Sequence, residues 1–153
     1  MRRSILLLPL AMGILGGPAS SQPLFEGSKA FNPSSETAVA ITGPVILSTK
    51  RMVFETGGSL DLEVHDAKSS GNWGASGDVP VAQVFRVSGD VGPLRQGNTL
   101  CGDQPVIYMA AWREESSGFG YLGIAMFTGT AVPTSAADQN MCATYFYSMD
   151  VAG

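Results

Sequence analysis

Apolar residues recur at every second position along several short stretches of this chain, and turn residues separate the stretches. The alternation is clearest where Leu60, Leu62 and Val64 interleave with Asp61, Glu63 and His65. Successive side chains of a strand point to opposite faces, so this spacing predicts one buried face and one wet face. Arg51 to Glu55 repeats the pattern through Met52 and Phe54, and Thr56-Gly57-Gly58-Ser59 supplies a turn between the two. Val79 to Val87 places Val81, Gln83, Phe85 and Val87 on one face, with Pro80 predicting that it starts at an edge. Upstream, the small and β-branched run Thr37 to Thr42 predicts a short strand. Gly43-Pro44 punctuates it before Val45-Ile46-Leu47.

The C-terminal third carries three longer apolar runs, Pro105 to Trp112, Tyr121 to Phe127 and Met141 to Tyr147. Val106 to Ala111 is apolar at nearly every position, which predicts a strand covered on both faces or one closing a small barrel. Gly123 interrupts the second run and marks a bulge or a close backbone approach. The connections are read as a charged hairpin at Arg113 to Gly118, a loop at Asp66 to Asp78 and a longer loop at Thr128 to Asn140. No stretch of a dozen residues has helical periodicity, and the 19 glycines and 9 prolines disfavour long helices. Roughly seven short strands predict an all-β fold, a small antiparallel barrel or sandwich. One β domain is expected over residues 36–150, preceded by a flexible, polar lead-in over 22–35.

The N-terminus changes this picture. Met1-Arg2-Arg3 is a basic start, Ile5 to Leu15 an apolar core, and Ala19-Ser20-Ser21 a run of small residues, so residues 1–21 read as a signal peptide cleaved near Ser21. The apolar run is too short for a bilayer span and is broken by Pro9 and Gly16-Gly17-Pro18. A periplasmic or secreted protein is therefore expected, with no membrane span once the signal is removed. In an oxidising compartment Cys101 and Cys142 form one disulfide. Closing that loop destabilises the unfolded chain by roughly 4 kcal/mol in the chain-entropy picture.

The formal net charge of −4 becomes more negative when Arg2 and Arg3 leave with the signal. Nucleic acid is a poor partner for such a chain, because binding it needs clustered Lys and Arg to displace counterions. The same charge suits a basic protein partner, although with no acidic cluster in the sequence solubility is the simpler account of it.

Candidate chemistry is sparse. His65 is the one histidine, and Asp61, Glu63 and His65 share a strand face at steps of about 6.6 Å, too long for three ligands to converge on one ion without distortion. No G-x-S-x-G elbow occurs, and Gly57-Gly58-Ser59 lies in a hairpin rather than at a helix N-terminus, so neither a nucleophilic triad nor a phosphate-binding loop is predicted. No catalytic residue, metal or cofactor is assigned. Aromatic residues remain. Trp73 and Phe119 lie on turns, where rigid aromatic anchors serve recognition, although packing down onto the sheet accounts for Trp73 equally well. Tyr145 and Tyr147 line a barrel mouth or form cross-strand pairs.

At Ala40-Ile41-Thr42-Gly43, the Phe54 to Leu62 hairpin, Gly97 to Gly102 and Cys142-Ala143-Thr144-Tyr145, the chain resembles small exported proteobacterial proteins of unknown function. Phe54-x-x-Gly57-Gly58-Ser59-Leu60 is also similar to the first hairpin of C-type lysozyme inhibitors, small periplasmic β-barrels. These resemblances imply export and a β-barrel and assign no functional residue. The expected function is a non-catalytic binding or interaction module of the cell envelope, with the loops at 66–78 and 113–120 meeting a protein partner. The alternatives are an inhibitor of a lysozyme-like basic hydrolase and a small-ligand carrier using the barrel interior.

Overall fold

Eight antiparallel strands in consecutive order close into a barrel in the computed structural model, which describes Gly16, Phe25 and residues 27–149. They are β1 (Lys29–Pro33), β2 (Val45–Leu47), β3 (Arg51–Phe54), β4 (Ser59–Trp73), β5 (Val79–Ser88), β6 (Tyr108–Ser116), β7 (Phe119–Phe127) and β8 (Met141–Ser148). The all-β expectation holds, with eight strands rather than seven and a barrel rather than a sandwich. The expected signal peptide, residues 1–21, lies outside the described residues apart from Gly16. Among the described residues no helix is long and apolar enough to cross a membrane.

The extra strand comes from the expected lead-in. Its residues Lys29, Ala30 and Phe31 pair with Leu47, Ile46 and Val45 of β2, and its last two, Asn32 and Pro33, pair with Ser148 and Tyr147 of β8. Five residues thus bridge the first and last hairpins, and the sheet has no free edge. Only Phe31 of β1 is buried, which is why so polar a segment carries little strand signal.

Two other expectations are corrected. Residues 37–42 form no strand; a wide helical turn runs over Ala38–Thr42, closed by the Gly43 amide donating to the Ala38 carbonyl at 2.8 Å. Ala38 and Thr42 are buried while Ala40 is exposed, a four-residue repeat that a strand cannot produce. Residues 66–78 are mostly not a loop either. Strand β4 continues to Trp73 through three register shifts, at Val64/Asp66, Asp66/Ser69 and Ser70/Trp73, leaving a short turn before β5. Bulges bend a strand and raise its twist, and they scramble the period-two pattern that sequence reading relies on. Val64, expected inside, is 38% exposed at the first of these shifts. Pro80 stands beyond the span over which β5 pairs with β6, Gln83 to Arg86, so its missing N–H costs no bond to that strand.

The barrel interior is filled with side chains. Met52, Phe54, Phe85, Met109, Ile124 and Tyr145 belong to one buried cluster drawn from strands around the barrel. A second cluster lies on the outer face of β4 to β8, where Trp73, Val84, Tyr108, Trp112 and Phe127 pack together. Strand β6 therefore serves both: Met109 and Ala111 point inward, Tyr108, Ala110 and Trp112 outward. Its unbroken apolar run reflects burial on both faces, as expected. Trp112 lies so close against the backbone of β7 that a Cβ on Gly123 would overlap its indole, so Gly123 marks a close approach, one of the two readings that its position allowed.

Candidate functional site

Three of the four aromatic candidates are structural. Trp73 is fully buried, donates from Nε1 to the Ser69 carbonyl at 3.0 Å and stacks on Trp112 with ring centroids 6.3 Å apart. The chain at 134–136 folds against this hairpin: the Asn72 carbonyl accepts from Ser135 Oγ and from the Ala136 amide, both at 3.1 Å. The long 128–140 loop and the β4–β5 hairpin thus cover the outer aromatic cluster together. Tyr145 and Tyr147 point into the barrel and are fully buried. Tyr145 Oη donates to the Leu100 carbonyl at 2.9 Å, and Tyr147 Oη meets Thr42 Oγ1 at 2.7 Å. Burial pushes the Tyr145 hydroxyl up to about 12 and the Tyr147 hydroxyl higher still, because phenolate is unstable out of water.

Phe119 is the exception, 67% exposed. It follows a two-residue turn in which Ser117 (φ +52°) and Gly118 (φ +79°) are both left-handed, with Ser116 and Phe119 paired across the hairpin. Such a turn matches the twist of the flanking strands and holds the tip rigid. Serine at the first position is strained relative to the usual Asn or Asp.

The two segments expected to meet a partner come together beside this tip. The Ala75 amide, in the β4–β5 turn, donates to Glu114 Oε2 at 3.2 Å, and Trp112 Nε1 donates to the same oxygen at 2.8 Å. Asp78 and Glu115 flank that contact, and the cleft between the two hairpins is about 420 Å³ and open to solvent. Three carboxylates thus line one cleft. Arg113 lines the cleft as well and sets one positive charge beside the three carboxylates, while its guanidinium lies 5.2 Å from the ring of Phe25.

Phe25 covers the barrel mouth at this end. It is 5% exposed, and only a void of about 10 Å³ remains around it, Leu47 and Arg113. Its amide donates to Gln83 Oε1 at 3.3 Å. Gln83 is fully buried, and its Nε2 has no hydrogen-bond partner among the described residues. An unpaired buried donor costs about 1–3 kcal/mol. Sequence reading placed Gln83 correctly on the inner face of β5, and a glutamine in a row with Phe85 and Val87 is the signal that could have singled it out. Phe25, inside the expected lead-in, left no such signal.

The opposite end is closed differently. Cys101 and Cys142 are joined, with Cα atoms 5.4 Å apart, tying the 89–107 segment to the start of β8. Leu94 and Leu100 of that segment plug the barrel. Arg95 pairs with Glu55 through Nε–Oε2 at 2.6 Å and Nη2–Oε1 at 2.9 Å, and its Nη1 donates to the Val39 carbonyl at 2.8 Å. The hydrogen bonds from Arg95 hold the Glu55 carboxyl below the ordinary carboxylate range.

The Asp61, Glu63 and His65 row does not converge. Asp61 pairs with Arg51 at 3.1 Å, while the His65 ring stands edge-on to Tyr108 with centroids 5.8 Å apart. Among the described residues no group of three or more His, Cys, Asp or Glu side chains could hold a metal.

Comparison with protein-family models, curated proteins and solved structures finds no match.

Proposed function

We propose that this protein is an exported, non-catalytic binding module of the cell envelope, periplasmic or secreted, that engages a basic protein through the two hairpins at the β6–β7 end of the barrel. One observation carries this reading: the Ala75 to Glu114 hydrogen bond brings the β4–β5 and β6–β7 tips into one cleft lined by Asp78, Glu114 and Glu115 beside the exposed Phe119. A rigid aromatic anchor flanked by like charge suits a partner with an apolar subsite and a basic rim. The basic start, apolar core and small-residue run of residues 1–21 support export, and the disulfide fits an oxidising compartment. A lysozyme-like basic hydrolase is the most concrete partner, consistent with the resemblance of the Phe54 to Leu60 hairpin. Carriage of a small ligand inside the barrel is the weaker reading, since Met52, Phe85, Met109 and Ile124 occupy that volume.

The test is calorimetric titration of residues 22–153, oxidised, with a C-type lysozyme and, in parallel, an affinity capture from envelope extract. The reading expects saturable binding to a basic protein that weakens at moderate salt and drops at least tenfold with Phe119→Ala or with Asp78→Lys and Glu115→Lys together. A captured partner whose affinity ignores all three substitutions and salt would refute the proposed surface.

A further inference from the structure

We infer that the barrel mouth under Arg113 is a binding slot for one aromatic residue of a polypeptide in extended conformation, and that Phe25 occupies it as an internal stand-in. The slot adjoins the acidic cleft and shares Arg113 with it, but Phe25, Leu47 and Gln83 do not line that cleft. Its chemistry is written in the groups that hold Phe25: the ring lies beneath the Arg113 guanidinium at 5.2 Å, and the backbone amide donates to Gln83 Oε1 at 3.3 Å. A cation over an aromatic face favours Phe, Tyr or Trp above an aliphatic side chain of similar size.

Gln83 points to a peptide rather than a bare ring. A primary amide presents one acceptor and a donor pair side by side, which matches the N–H and C=O of an extended peptide. Phe25 uses the acceptor only. The donor, Nε2, is buried at 0% exposure and, among the described residues, unpartnered. The Phe25 amide accounts for the acceptor end of the side chain, but nothing accounts for the buried donor end. An incoming aromatic residue that supplies both its N–H and its C=O would satisfy both ends of the Gln83 amide, and so would compete against the tethered Phe25. With Phe25 in place only about 10 Å³ is free, so binding requires its displacement, and the apparent affinity is reduced by the fraction of molecules in which the slot is already open.

The experiment uses N-acetyl-phenylalaninamide as probe, because it carries the ring, the N–H and the C=O, and follows the Gln83 side-chain and Arg113 Nε resonances by NMR in residues 22–153. Phe25→Ala should bind the probe saturably and at least tenfold more tightly than the unaltered chain, with shifts confined to Gln83, Arg113 and Leu47. Adding Gln83→Leu should weaken that binding at least fivefold, and N-acetyl-leucinamide should bind more weakly than the aromatic probe. Phe25→Ser serves as a second opening variant should the alanine variant fail to fold, and the unaltered chain must show the same shifts at higher probe concentration. A well-folded opening variant without localised shifts, equal affinity with and without Gln83, or equal affinity for the leucine probe each overturns the inference. Because the probe is too small to span the acidic cleft, none of these results bears on the partner proposed above.

Discussion

At the end where β8 begins, the barrel is closed by two chain segments and a covalent bond; at the end where β6 turns into β7, the ring of Phe25 closes it among the described residues. The 89–107 segment is held by Cys101–Cys142, by Tyr145 Oη on the Leu100 carbonyl and by Asn98 Nδ2 on the Ala40 carbonyl at 3.2 Å, while Leu94 and Leu100 are buried beneath it. Phe25 has one hydrogen bond at 3.3 Å and one cation–ring contact. Independent constraints that share a segment must all fail before it opens, whereas one ring held by packing, one hydrogen bond and one cation contact needs fewer to fail. The lower local stability, and with it the capacity to exchange one occupant for another, is expected at the Phe25 end.

The largest effect should come from removing the staple. Cys101→Ser with Cys142→Ser is expected to lower unfolding stability by about 4 kcal/mol in urea titration. In amide exchange the 89–107 segment should lose protection while residues around Gln83 keep theirs. Equal loss at both ends would erase the contrast.

Next come the two plugs. Leu100→Ala, which leaves a cavity under a pinned segment, should cost about 3 kcal/mol. Phe25→Ala should cost about 2 kcal/mol or less, near the transfer term alone. If the two substitutions cost the same, the closure at the Phe25 end is as constrained as the other.

Smaller effects test the polar links at the stapled end. Tyr147→Phe removes the bond to Thr42 Oγ1 and should cost about 1 kcal/mol. In alkaline titration Tyr145 stays protonated to about 12 and Tyr147 beyond that, while an unfolded phenol ionises near 10.0. Stability contributed by the neutral phenols is complete below the unfolded value and is lost as pH rises through the folded ones, so unfolding should set in above about pH 10. Ultraviolet titration of phenolate should show Tyr145 and Tyr147 ionising only with that transition. The smallest effect belongs to Glu55. Its lowered carboxyl contributes stability that is present above the ordinary value of 4.5 and lost as pH falls through the folded one. Glu55→Gln should flatten the acid limb of a thermal-stability profile at low salt, and by much less at high salt, because the pair is exposed.

How far the fold was legible depended on whether burial matched a simple period. Leu60 with Leu62, and Gln83, Phe85 and Val87, lie on the inner wall as their alternation predicts. The apolar run of β6 signalled burial on both faces, and the outer aromatic cluster is what covers its second face. Where bulges interrupt the period, as along 64–73, a strand reads as a loop. Where four-residue spacing joins small residues, as at Ala38 and Thr42, a helical turn reads as a strand. The candidate site was legible in part: the 66–78 and 113–120 segments were singled out by charge and aromatic content, but their meeting through Glu114 and Ala75 is a long-range contact without a sequence signature. Trp73, Tyr145 and Tyr147 were singled out for the same aromatic content and turned out to be core, because a bulky ring carries the same letter whether it faces solvent or another ring.

The sequence by itself determined the architecture class: period-two hydrophobicity, frequent turn residues and the spacing of two cysteines together leave little besides a small disulfide-linked β fold. These are local properties, and local chemistry encodes them. Tertiary structure alone decided that five residues of a polar lead-in would close the barrel, that Gln83 would be left with an unpaired donor inside it, and that Phe25, from outside the strands, would join the core and cover the mouth. Each depends on which distant segment arrives at a position, and that is fixed by closing the sheet onto itself rather than by any residue's neighbours in the chain.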